Sequence, residues 1–87
     1  MPSYNINFTP QGLKSLESLD KKIAQRIVDK LKWFIEHIDE IRGIPLSADL
    51  AGLYKLRMGD WRIIYSIDHK KQLITIHKIG HRKDIYK

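Results

Sequence analysis

Cysteine is absent from this chain, so neither a disulfide framework nor a thiolate metal site is open to it, a condition that suits a reducing cytoplasm. No apolar run approaches the length that spans a bilayer. The opening MPSYNINF lacks the cationic start and apolar stretch of a secretory signal, so neither a membrane nor an export role is expected. Internal repeats, low-complexity tracts and linkers are missing too, and 87 residues suffice for one domain, residues 1–87, with one modest core. No two histidines lie four apart on an expected helix with a carboxylate between them, the pattern that marks a zinc site. His77 and His81 fall in a strand pattern and the tail after it, so no metal or other cofactor is expected. Acid is also in short supply. Ten Asp and Glu stand against 16 Lys and Arg, a net charge of +6 that points to a polyanionic partner if the cations are focused on one surface.

What is present is strongly patterned. Tyr4 to Phe8 alternates apolar and polar, as a half-buried strand does. Thr9-Pro10 has the form of a helix N-cap followed by proline at the first helical position, and Leu13, Leu16 and Leu19 follow at helical spacing. Asp20 is the expected cap of a second helix, joined to the first at Ser18 to Lys21. Its apolar stripe runs through Ile23, Ala24, Ile27, Val28, Leu31, Phe34, Ile35 and Ile38. Arg42-Gly43-Ile44-Pro45 is the expected stop, with a loop through about Gly52. Three strands are expected next, at Leu53 to Met58, Trp61 to Ile67 and Gln72 to Ile79. The outline is α+β: β-α-α-β-β-β with a short C-terminal tail, both helices on one face of a small antiparallel sheet.

The hairpin within that outline carries the chemistry. Gly59-Asp60 fits a two-residue turn with glycine in its first central position. That loop length sets Met58 opposite Trp61, Arg57 opposite Arg62, Leu56 opposite Ile63, Lys55 opposite Ile64 and Tyr54 opposite Tyr65. Side chains alternate along a strand, so Tyr54, Leu56, Met58, Trp61, Ile63, Tyr65 and Ile67 share the core face, while Lys55, Arg57 and Arg62 share the other. Opposed like charges destabilise a hairpin by up to roughly 1 kcal/mol. A surface shaped by stability alone would seldom collect three such cations without an acid between them. The last strand is expected to add Lys78, and the tail His81, Arg82 and Lys83. Such a face suits phosphates.

The remaining polar candidates are plainer. His37 reads as a surface residue beside the helical stripe, His69 as a turn residue, and His77 as a core-side histidine with a satisfied hydrogen bond. Trp33 lies opposite the apolar stripe and is expected to pack over its own helical neighbours, with a partner contact as the sharper alternative.

Tyr54-Lys55-Leu56-Arg57, Asp60-Trp61-Arg62-Ile63-Ile64-Tyr65 and Ile79-Gly80-His81-Arg82-Lys83-Asp84-Ile85-Tyr86, in that order and over nearly the whole chain, resemble the RelE/ParE superfamily of bacterial and archaeal toxins. They are more similar to its RelE branch. That resemblance implies an endoribonuclease that cuts mRNA in the ribosomal A site and is held inactive by a cognate antitoxin. Carried over by motif, Lys55 matches a catalytic lysine, Arg62 the arginine that stabilises the phosphate, Arg82 the general acid, and Tyr86 the tyrosine that stacks on or positions the nucleotide. Arg57, Lys78, His81 and Lys83 would bind RNA around them. The departure is Leu53, where well-known members carry a second lysine.

The ParE branch, which shares the fold and inhibits DNA gyrase, is one alternative. A binding module with a decayed site, which Leu53 keeps open, is another. Cleavage by attack of the ribose 2′-hydroxyl on the adjacent phosphate needs a base, cations for the phosphorane and an acid for the leaving oxygen, and no metal. Crowded cations disfavour the charged form of a lysine, which makes Lys55 the candidate base. Arginine scarcely gives up its proton, so Arg82 is alternatively a charge stabiliser, with the proton delivered by substrate, water or ribosome. His81 is the one histidine beside the proposed site.

Overall fold

Strand β1 (Asn5–Phe8) leads through Thr9 into helix α1 (Pro10–Glu17), and a short turn leads to helix α2 (Lys21–Glu36). A two-residue strand β2 (Ile44–Pro45), then β3 (Tyr54–Met58), β4 (Trp61–Asp68) and β5 (Leu73–His81) complete the order. The computed structural model describes residues 4–38, 44–45 and 52–85. The sheet runs β1-β5-β4-β3-β2. It is mixed rather than wholly antiparallel as expected, because β1 runs parallel to β5, with Ile6 beside Ile74 and Phe8 beside Ile76. The chain returns through the hairpins so that the last strand, β5, comes to lie beside β1 and runs in the same direction. Strand β2 falls within the stretch read as loop and pairs antiparallel to β3. The expected helix stop at Gly43 lies outside the described residues.

Thr9 caps α1 as expected: its hydroxyl accepts the Gly12 N–H at 2.9 Å, satisfying one of the orphan donors of a helix start. The Thr9 N–H meanwhile donates to the Ile76 carbonyl at 3.0 Å, which pins the helix start to β5. Asp20 occupies the cap position of α2, but its side chain makes no capping hydrogen bond. Helix α2 stops at Glu36, short of the end of its apolar stripe. His37 turns back there, and its Nδ1–H donates to the Trp33 carbonyl at 2.8 Å.

The core lies between the helices and the sheet. Ile27, Leu31 and Phe34 from α2 meet Leu56, Ile63, Tyr65, Ile74, Ile76 and Ile79. Each such side chain contributes about 1.5–3 kcal/mol by leaving water. The Phe34 and Tyr65 rings meet edge to face at 5.0 Å. Burial, with Tyr54 nearby as a smaller cause, raises the Tyr65 hydroxyl above its ordinary pKa of 10.0. Trp33, exposed on the far side of α2, stacks on His37 at 4.6 Å with the Lys30 ammonium 4.1 Å from its ring centre, so it packs over its own helix.

β5 holds the least expected feature. Tyr65 pairs with Ile76 but Ile64 pairs with Lys78, so His77 is an extra residue, a β-bulge. The bulge lets Ile76 and Ile79, an odd number apart, both enter the core. His77, next to the core residue Ile76, lies on the face away from the helices, correcting the core-side expectation, and the bulge leaves Lys78 on that face as well. The His77 Nε2 is hydrogen-bonded to the Ser66 hydroxyl at 2.8 Å.

Two predictions follow from this packing. Alanine in place of glycine inside a helix ordinarily stabilises by about 0.5–1 kcal/mol. At Gly12 the added methyl would drive into the Ile76 carbonyl oxygen. Gly12→Ala should therefore destabilise by about 1–3 kcal/mol through overpacking, read as a lower urea midpoint. For Tyr65, the folded-state pKa lies above the unfolded one, so its contribution is intact below pH 10 and is lost as pH rises from there through the folded value. Tyr65→Phe should lessen the fall in stability above that pH in parallel denaturation curves.

Candidate nucleic-acid interface

The hairpin register is as the turn requires: Tyr54–Tyr65, Lys55–Ile64, Leu56–Ile63, Arg57–Arg62 and Met58–Trp61 are all paired. Gly59 sits at φ +59, in the left-handed region that glycine enters without strain. Continuing the pairing into β5 gives two rows across the open face of the sheet. One row is Lys55, Ile64, Lys78; the next is Arg57, Arg62, Gly80. Neighbouring strands lie about 4.7–4.9 Å apart and alternate residues about 6.6–6.8 Å along a strand, so four cations bracket a patch of roughly 10 by 7 Å. Lys78 reaches this patch because of the bulge; in unbroken alternation with Ile74 and Ile76 it would face the core.

The turn anchors two arginines. Arg62 Nη1 donates to the Gly59 carbonyl at 2.8 Å and to the Trp61 carbonyl at 2.9 Å. Those carbonyl dipoles offset its repulsion from Arg57 across the pair. Arg82 is held by the neighbouring residue of the turn. Its N–H donates to the Asp60 carbonyl at 2.7 Å, and its Nε lies 3.6 Å from Asp60 Oδ1. Both arginines thus converge on one end of the hairpin.

Through Ile85 the tail is built rather than loose. The N–H groups of Arg82, Lys83, Asp84 and Ile85 are all engaged, with the Asp60 carbonyl, His81 Nδ1 and, for the last two, the His81 carbonyl. Ile85 is buried directly over Gly80, where a β-carbon would come 3.1 Å from its Cδ1. The bare glycine is a socket, and Ile85 fills it. Ile64, in the middle of the cationic face, is buried as well, with the half-buried Lys55 and Lys78 on either side.

Of the site residues expected from sequence, Lys55, Arg57, Arg62 and Lys78 share the open face, and Arg82 is tethered at its edge with the exposed Lys83 beside it. His81 belongs to the other side. It pairs with Trp61, and the two rings meet edge to face at 5.6 Å. Its Nδ1 accepts the Lys83 N–H at 3.2 Å, so its part is to shape the tail. Tyr86 lies outside the described residues. The sequence reading missed three contributors. Asp60 was seen only as a turn residue, although it is an acid set among arginines. Gly80 and Ile85 were missed although a glycine inside a strand pattern signals a close approach. The shift of apolar parity between Ile76 and Ile79 could have revealed the bulge.

The architecture defines a small α+β domain with one sheet face packed by helices and the other lined by cations. The sequence matches the family described as ParE toxin of type II toxin–antitoxin system, parDE, over residues 6–86. It is 30% identical to Toxin RelG of Mycobacterium tuberculosis, with 97% of each chain covered. It is 31% identical to Toxin RelE of the same organism, covering 97% of this chain and 87% of that one. Among solved structures, the toxin–antitoxin complex RelBE2 from Mycobacterium tuberculosis aligns with a TM-score of 0.83 and 28% identity over 97% of each chain. The chain belongs to the RelE/ParE superfamily, the toxins of type II toxin–antitoxin modules.

Ile85→Ala should free the tail without unfolding the core. Loss of a buried isoleucine on the order of 2 kcal/mol corresponds to a roughly thirtyfold rise in local opening. Hydrogen exchange should show faster exchange at Arg82, Asp84 and Ile85 while the β4–β5 amides keep their protection.

Proposed function

We propose that this toxin is an endoribonuclease that cuts mRNA in the ribosomal A site by metal-independent attack of a ribose 2′-hydroxyl, stopping translation. The observation that supports this best is the convergence of Lys55, Arg57, Arg62 and Lys78 on one sheet face, with Arg82 tethered at its edge. Lys55 and Arg62 are diagonal neighbours across the hairpin, roughly 7–8 Å apart. A phosphodiester fits between them. Lys55 takes the proton from the 2′-hydroxyl, whose oxygen forms the new bond to phosphorus. Arg62 and Arg82 hold the charge that builds on the phosphorane oxygens, where fixed donors act most strongly. The bond to the 5′-oxygen breaks, and that oxygen takes a proton from Arg82 or, since arginine scarcely gives one up, from water or the ribosome, leaving a 2′,3′-cyclic phosphate and a 5′-hydroxyl. Arg57, Lys78 and Lys83 neutralise flanking phosphates. Tyr86 stacks on or positions the nucleotide by motif. The small cationic patch cannot hold a long RNA by itself, which is why the ribosome is assigned the task of presenting the substrate.

A cognate antitoxin covers the same cations with an acidic or amphipathic segment; a similar chain was solved in such a toxin–antitoxin complex. The family description, a ParE toxin, favours a second reading in which the target is DNA gyrase and no RNA is cut.

In-vitro translation with the purified chain, followed by primer extension on the mRNA, separates the two. Discrete cuts with ribosomes and an intact naked transcript are expected, with gyrase supercoiling unaffected. Intact mRNA together with blocked supercoiling would overturn the proposal. Lys55→Ala, Arg62→Ala and Arg82→Ala should each slow cleavage on the order of 100-fold or more. For the exposed Arg82, the change in stability should stay within about 0.5 kcal/mol.

A further inference from the structure

We propose that Asp60 is a positioning residue for Arg82: it grips the Nε side of the guanidinium so that the two Nη groups face the scissile phosphate. The proposal rests on the ribonuclease reading above. Asp60 holds Arg82 at two levels, its carbonyl oxygen on the Arg82 N–H at 2.7 Å and its carboxylate Oδ1 at 3.6 Å from Nε. The first contact fixes where the tail leaves the sheet, and the second, an ion pair longer than a hydrogen bond, biases which way the side chain points.

Stability does not account for the carboxylate. The two side chains are 56% and 63% exposed, and an ion pair in that setting contributes about 0–1 kcal/mol. Binding does not account for it either. A negative charge at the edge of a face lined by Arg57, Arg62 and Lys78 repels the phosphates those residues attract. Asp suits this turn position, and its carboxylate there also gives the neighbouring arginine an orientation. Guanidinium groups take carboxylates and phosphates through pairs of parallel N–H bonds. With Nε turned to Asp60, the Nη1–Nη2 edge remains for two phosphorane oxygens. Arg82 would otherwise spread over many rotamers, and the entropy of ordering it would fall on the transition state. Arg62 is oriented from the same turn by the Gly59 carbonyl, so residues 59 and 60 each set one arginine.

The test compares wild type, Asp60→Asn, Arg82→Ala and the double variant for cleavage on programmed ribosomes, with kcat and KM determined separately. Asp60→Asn keeps the backbone bond and the turn. It should lower kcat on the order of tenfold, with KM unchanged or reduced because a repelling charge is gone. In the Arg82→Ala background it should lower kcat no further, a result that a general structural role would not give. Asp60→Glu should recover part of the loss. The Arg82 Nε–H proton, followed by NMR in the free protein, should exchange a few-fold more slowly in wild type than in Asp60→Asn, independently of any cleavage. Wild-type kcat in Asp60→Asn, an equal loss in both backgrounds, or identical Nε–H exchange would each overturn the proposal. Absence of cleavage by wild type would instead overturn the ribonuclease reading, leaving the exchange measurement to decide whether Asp60 holds Arg82.

Discussion

Two residues of backbone, Gly59 and Asp60, constrain the rest of the hairpin end of this molecule. A two-residue turn with a left-handed first position permits one register between its strands, and a slip of one residue would exchange every side chain between faces. With the register fixed, Trp61, Ile63 and Tyr65 go to the helices, and Lys55, Arg57 and Arg62 go to the open face. The turn's own carbonyls then bind Arg62 and the Arg82 backbone. One local conformation therefore sets core packing, charge display and the anchorage of the tail.

The opposed arginines show how a locally unfavourable choice is made tolerable. Arg57 and Arg62 face each other across a hydrogen-bonded ladder, which costs stability unless charge is drawn off. Arg62 meets that requirement by bonding to two carbonyl oxygens, and Arg82 by approaching Asp60. The two arginines are thus held on one side by acceptor oxygens, leaving the rest of each guanidinium open. Preorganisation of this kind suits a reaction in which the protein adds little covalent chemistry and mainly stabilises charge on a phosphate.

Much of this was legible in the sequence, and the legible parts share a cause. The register followed from loop length, the helices from apolar spacing, and the cationic face from alternation, all short-range rules. The parallel pairing of β1 with β5 was not legible, because it joins residues at opposite ends of the chain and no local pattern encodes strand direction. His77 was assigned to the core by strict alternation with Lys78, which was placed on the open face. The step from Ile76 to Ile79 already required an irregularity, and the bulge that supplies it brings Lys78 to the site. His81 was grouped with the tail cations by proximity in sequence, whereas its pairing with Trp61 puts it on the helix side. Ile85 and Gly80 were missed since their contact depends on how the tail folds back.

The central claim is that the protein arranges cations around a phosphodiester and leaves the attack to the RNA's own 2′-hydroxyl. The most direct measurement is cleavage, on programmed ribosomes, of an mRNA carrying a single 2′-O-methyl group at the nucleotide preceding the cut. The account predicts that cutting at that position is abolished while the unmodified transcript yields a 2′,3′-cyclic phosphate end and a 5′-hydroxyl end. Cleavage of the blocked transcript at the same bond would contradict it.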